Sequence, residues 1–111
     1  NREVPRDIRA LLARTGRGLD GFDYIVLHQA NSFINAHVAR RLGLDPEKVP
    51  STIGKYGNTS SVSLPLTIVS ELRGRMDGHR LLLMSAFGVG MTWGSAIVPF
   101  VDCRISEMVE V

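Results

Sequence analysis

With 111 residues, 44% of them hydrophobic and 22% charged, the chain has the composition of one globular core, which excludes a disordered tail and a membrane bundle. Its net charge of +2 comes from basic and acidic residues that alternate, so no long cationic surface for nucleic acid is expected. A single cysteine, Cys103, excludes an internal disulfide and suits a reducing compartment. No apolar run reaches the roughly 20 residues of a membrane-spanning helix, and NREVPRDIRA lacks both an initiator Met and a signal peptide's apolar centre. The expectation is a cytoplasmic chain that is a piece of something longer.

Pro5 suits a first helical turn, and Ile8, Leu11 and Leu12 recur at helical spacing until Gly16 and Gly18, which predicts a helix over 4–15. Arg6, Arg9, Arg14 and Arg17 read as its solvated face, with an acidic protein partner as the alternative. DYIVLHQ is a β-branched and aromatic run that reads as a buried parallel strand ending at His28. Within VLHQANSFI a histidine and two amides stand where the apolar run stops, which calls for either capping or chemistry. Asn31 or Ser32 can cap the next helix, marked by Ile34, Val38 and Leu42 and closed by Gly43.

LDPEKVPSTIGKYGNTSS follows as a long connection punctuated by proline and glycine, the kind of loop that often carries function. A third helix is expected from a Ser60–Ser61 cap through Val62, Leu66, Val69 and Leu72 to Gly74, with Pro65 tolerated near its first turn. RLLLMSAFG and MTWGSAIVPF read as two strands joined by the glycine turn GVG, and a further strand is conceivable around 104–110. Helices alternating with strands in this order give a layered α/β fold with a mixed sheet.

Ligands of such sheets gather beyond the carboxyl ends of parallel strands, where His28 falls. The long connection can return Asn58 to the same rim. A neutral imidazole and a carboxamide aimed at one point bind an oxygen that gains negative charge. Equally, His28 can be a satisfied buried histidine and Asn58 a turn residue beside Gly57. GKYGNTS lacks the spacing of a phosphate-binding loop. His37 and His79 make no metal-ligand spacing with His28, so they read as surface residues and no metal is expected. Trp93 reads as core or interface packing, and Cys103 as a packed or edge-strand residue rather than a nucleophile.

Taken in order, HQAN, then YGNTSS before a proline-containing helix, then FGVGMTWGSAIV, from about Glu3 to Phe100, resemble the C-terminal part of β-ketoacyl-acyl carrier protein synthase III, a thiolase-fold condensing enzyme. The resemblance implies that residues 1–111 form the C-terminal half of a thiolase-like fold, a mixed sheet with helices packed on it. It also implies a missing N-terminal half that carries the nucleophilic cysteine, for which Cys103 lies in the wrong place; the chain alone is expected to be inactive. The implied reaction is an acyl transfer of fatty acid biosynthesis: decarboxylative Claisen condensation of an acyl thioester with malonyl-acyl carrier protein.

His28 and Asn58 match the family's catalytic pair. Phe87 matches a phenylalanine beside the malonyl carboxylate, and the backbone N–H of Val89 an oxyanion donor. No cofactor is implied beyond coenzyme A or acyl carrier protein thioesters as substrates. The implied partners are acyl carrier protein, the missing half and a second copy of the protein; neither nucleic acid nor membrane is expected. Phe33 stands where the family often has a carrier-contacting arginine, which shifts that role to Arg40, Arg41 or Lys55; Pro99 likewise replaces a common basic residue. The tail VDCRISEMVEV is expected to add an edge strand. Two alternatives stay open: a superfamily acyltransferase to an oxygen or amine acceptor, and a non-catalytic interaction domain.

Overall fold

Successive side chains of a strand face opposite sides of the sheet, and in this chain both sides are apolar. The computed structural model, which describes residues 2–90 and 92–111, contains a three-stranded sheet in the order β1 (Tyr24–Leu27), β2 (His79–Gly88), β3 (Thr92–Val101). β1 runs parallel to β2, with Leu27 opposite Ser85. β2 and β3 form an antiparallel hairpin in which Phe87 lies opposite Trp93. The mixed α/β sheet expected from the sequence is present.

Helix α1 (Glu3–Thr15) and helix α2 (Ser32–Leu42) cover one side, where Ile8, Leu12, Val38 and Leu42 enclose Ile25, Leu27 and Leu83. Val26 and Leu82 face the other way, onto Ile68 of α4 (Ser63–Glu71) and the adjoining Leu72 and Met76. β1 is therefore covered on both faces, which explains its unbroken apolar run. The Asp23 N–H donates to the Leu81 carbonyl at 2.9 Å, and the Asp23 carboxylate accepts from the Leu81 N–H at 2.8 Å, so β1 and β2 start in fixed register.

Gly16 and Gly43 close α1 and α2 in left-handed caps, and the Asn31 side chain accepts from the Ile34 N–H at 2.8 Å, so these two helices run as the sequence predicts. The third predicted helix differs. Ser60–Val62 is a 3-10 turn, α4 begins only at Ser63, and neither Ser60 nor Ser61 caps it. No side chain caps α4; the Asn58 side chain instead accepts from the Ser60 N–H at 2.9 Å, in the turn that leads into it. The long connection is also less open than its prolines suggest: it holds a 3-10 turn at Pro46–Lys48 and the short helix α3 (Ile53–Tyr56).

A further expectation fails. The tail adds no edge strand: Asp102 has a φ of 47°, the chain turns off the sheet there, and Ile105 instead packs beside Leu82 and Met76. Arg73 of the turn after α4 meets Glu107 at 3.2 Å on the same side. Trp93, 40% exposed on β3, is not part of the core. Cys103 lies past the end of β3, partly buried, outside any strand.

Leu83 has no solvent exposure and sits in the middle of the central strand. Leu83→Ala is expected to destabilise the full-length protein by about 2–5 kcal/mol, read from its urea midpoint. His79→Ala, at the exposed start of the same strand, should stay within about 0.5 kcal/mol.

Candidate functional site

Because β1 and β2 are parallel, their carboxyl ends open on the same side, and an open cavity of about 1120 Å³ lies there. His28 continues β1 into it, with its N–H donating to the Ser85 carbonyl of β2 at 2.8 Å. Its lining also includes Asn58, Ser63, Phe87, Val89 and Trp93. Thus the structure brings together His28, Asn58, Phe87 and Val89 from three separate stretches of sequence. His28 and Phe87 meet edge to face, with ring centroids 5.2 Å apart and planes at 88°.

Burial pushes the His28 imidazole below its ordinary value of 6.5, which favours the neutral ring at neutral pH. Among the described residues, no other ionisable side chain is in the lining, so nothing charged opposes that effect. On its inner side the ring is held by Ser63, whose hydroxyl lies 2.6 Å from Nδ1.

Asn58 reaches the rim through a backbone that only glycine tolerates well: Gly57 has φ 67° and ψ −154°. The next turn is tight as well, with Ser60 at φ 57°. Since the Ser60 N–H can only donate, the atom of Asn58 that it meets must be Oδ1, which leaves the Asn58 amide hydrogens turned away from this turn.

Three residues to which the sequence assigned no role, Gln29, Thr52 and Thr67, hold this arrangement. Gln29, with no exposure, uses Nε2 to donate to the Leu27 carbonyl at 2.8 Å, and its Oε1 accepts from the Thr52 N–H at 2.9 Å and the Ser51 hydroxyl at 3.0 Å. The Thr52 and Thr67 hydroxyls meet at 2.9 Å, and Thr67 donates to the Ser63 carbonyl at 2.7 Å. The available signal was the pair Ser63 and Thr67, one helical turn apart within the apolar stretch SLPLTIVS, where a polar stripe has no solvent to face.

Arg40 and Arg41 are exposed on the last turn of α2, and Arg9 of α1 donates to the Arg41 carbonyl at 2.6 Å. Lys55 is engaged by Glu71 at 2.9 Å, and that hydrogen bond holds its ammonium above the usual range. Phe33, 70% exposed at the start of α2, offers no charge at all. Among the described residues no helix is long and apolar enough to cross a membrane, and no group of three histidine, cysteine or acidic side chains comes together as a metal site.

Residues 12–100 match the family described as the C-terminal domain of 3-oxoacyl-[acyl-carrier-protein] synthase III. A β-ketoacyl-[acyl-carrier-protein] synthase III of Streptococcus mutans is 38% identical over 100 residues, covering 87% of this chain and 31% of the relative. The chloroplastic enzyme of that name from Arabidopsis thaliana is 42% identical over 96 residues, 86% of this chain and 24% of its own. In structure, a 3-oxoacyl-(acyl-carrier protein) synthase from Burkholderia xenovorans superposes with a TM-score of 0.91 at 40% identity, over 97% of this chain and 31% of that one. OleA of Xanthomonas campestris also aligns, at TM-score 0.74 and 27% identity over 84% of this chain and 27% of that one. The chain spans less than a third of the length of these relatives. With the family's pattern present over most of the sequence and its thiolase-like fold reproduced, the chain belongs to the 3-oxoacyl-[acyl-carrier-protein] synthase III C-terminal family.

Proposed function

We propose that this chain is the C-terminal domain of a condensing acyltransferase that joins an acyl thioester to malonyl-acyl carrier protein with loss of carbon dioxide, and that His28 and Asn58 are its decarboxylation pair. The observation that carries this reading is their convergence, from the end of β1 and from the far end of the long connection after α2, on one cavity with no other ionisable side chain in its described lining.

When the malonyl carboxylate leaves, the electron pair of the breaking C–C bond moves toward the thioester carbonyl, and its oxygen becomes an enolate oxygen. An imidazole N–H and a carboxamide N–H placed there stabilise that charge without reorganising. The enolate carbon then attacks the acyl group held as a thioester on a cysteine of the N-terminal half, and the cysteine thiolate departs. Phe87, perpendicular to the His28 ring, presents an apolar wall that disfavours the localised carboxylate charge more than the dispersed charge of the transition state. The Val89 N–H, in the turn after β2, serves the tetrahedral intermediate of the acyl-transfer step. Carrier protein approaches over Arg40 and Arg41, which are exposed, rather than Lys55, which Glu71 occupies. α4 carries Leu64, Leu66, Ile68 and Val69 around most of its circumference but buries only one side, so its remaining face suits the N-terminal half of the same protein. The assembled enzyme works as a homo-oligomer in the cytoplasm, on coenzyme A and acyl carrier protein thioesters.

In the full-length protein, His28→Ala and Asn58→Ala should each slow carbon dioxide release from a malonyl thioester by about a hundredfold or more, near 3 kcal/mol of barrier. Turnover left intact, with only the unfolding midpoint moved, would instead make them capping and turn residues. Arg40→Glu with Arg41→Glu should raise KM for the carrier-protein substrate several-fold and leave kinetics with the coenzyme A thioester unchanged. A pH series tests the burial of His28. Its unfolded form takes up a proton near 6.5 and its folded form only at lower pH, so stability is full above 6.5 and declines as pH falls. Urea midpoints between about pH 5 and 7 should therefore fall more steeply for the unsubstituted protein than for His28→Gln.

A further inference from the structure

We propose that Ser63 is a positioning residue for His28: its hydroxyl proton is donated to Nδ1, which fixes the imidazole as the tautomer whose Nε2–H meets the substrate oxygen. This rests on the proposed role of His28 and adds to it the group that decides which nitrogen is the donor.

The assignment follows from what a buried hydroxyl requires. Ser63 is 1% exposed, and its Oγ has two neighbours, the Gln29 backbone N–H at 3.4 Å and His28 Nδ1 at 2.6 Å. A backbone amide can only donate, so it occupies a lone pair of Oγ. The hydroxyl proton then needs an acceptor, since a buried donor left unpaired is destabilising. Of the two neighbours only a bare Nδ1 can take it. A neutral imidazole carries one N–H, and with Nδ1 bare that hydrogen is on Nε2.

Ser63 is itself held in place. Its carbonyl accepts from the Thr67 hydroxyl at 2.7 Å, Thr67 meets Thr52 at 2.9 Å, and the Thr52 N–H donates to Gln29 at 2.9 Å. On the far side, Phe87 limits rotation of the ring by its edge-to-face contact. No carboxylate among the described lining residues competes with Ser63 for Nδ1.

The test is nitrogen-15 NMR of histidine-labelled full-length protein at neutral pH, with the His28 signals assigned by their loss in His28→Gln. The expected spectrum has Nδ1 at the shift of a bare ring nitrogen and Nε2 at that of an N–H nitrogen. Ser63→Ala should move both toward a mixture of tautomers and lower kcat for malonyl thioester decarboxylation roughly tenfold, with KM little changed. A protonated Nδ1 in the unsubstituted protein overturns the proposal, as does a Ser63→Ala protein with unchanged tautomer and kcat. Should Ser63→Ala fail to fold, the unsubstituted spectrum decides alone. Retained turnover in His28→Ala would sink the catalytic role of His28 without touching the tautomer assignment, so the two failures are separable.

Discussion

Gln29 is sealed from solvent, and a carboxamide in that position must find its partners inside the protein. It finds them on both sides of the site: the Leu27 carbonyl at the end of β1, and Ser51 and Thr52 in the connection that leads to Asn58. That connection has no strand ladder to locate it. Beside the Gln29 side chain, the rim that carries His28 is joined to the segment after Asn58 through Ser63, which His28 Nδ1 meets at 2.6 Å. From Thr52 the hydrogen bonds continue through Thr67 to Ser63 and back to His28 Nδ1. His28 is thus tied to one buried polar chain that leaves the sheet and returns to it, with the connection that leads to Asn58 anchored on the same chain, and satisfied networks of this kind hold a single geometry well.

The cavity works by what it lacks as much as by what it holds. Its described lining offers hydroxyls, a carboxamide, an imidazole and apolar surface, with no cation to hold a carboxylate and no anion to charge the histidine. Burial then acts on His28 unopposed and favours a neutral donor. Under the proposed reaction, such a lining disfavours a localised carboxylate and offers uncharged donors to the thioester oxygen. On that proposal, electrostatic preorganisation and the disfavoured ground state act in the same direction.

Much of the fold was legible because each apolar period matched one environment. The run DYIVL is continuous since β1 is covered on both faces, and α2 announces itself through Asn31, Ile34, Val38 and Gly43. His28 and Asn58 were readable as a pair from their place in the layout and from the resemblance carried by HQAN and YGNTSS. What stayed hidden was how they are held. In VLHQANSFI the histidine and two amides have three separate tasks: His28 lines the cavity, Gln29 anchors the connection, and Asn31 caps α2. Nothing in the local pattern tells a buried glutamine from an exposed one, because its partners Ser51 and Thr52 come from another segment. The expected Ser60–Ser61 cap of α4 is absent as well, because Ser60–Val62 forms a 3-10 turn ahead of the helix and the Asn58 side chain takes the Ser60 N–H. The tail failed as a strand because Asp102 turns the chain away, a backbone choice its β-branched residues do not advertise.

The central claim is that His28 and Asn58 grip one oxygen. A crystal structure of the full-length protein with a malonyl thioester analogue that cannot lose carbon dioxide measures this directly. The account predicts His28 Nε2 and Asn58 Nδ2 both within about 2.7–3.1 Å of the thioester oxygen. An analogue bound with that oxygen on other donors, and either side chain turned into packing, would contradict it.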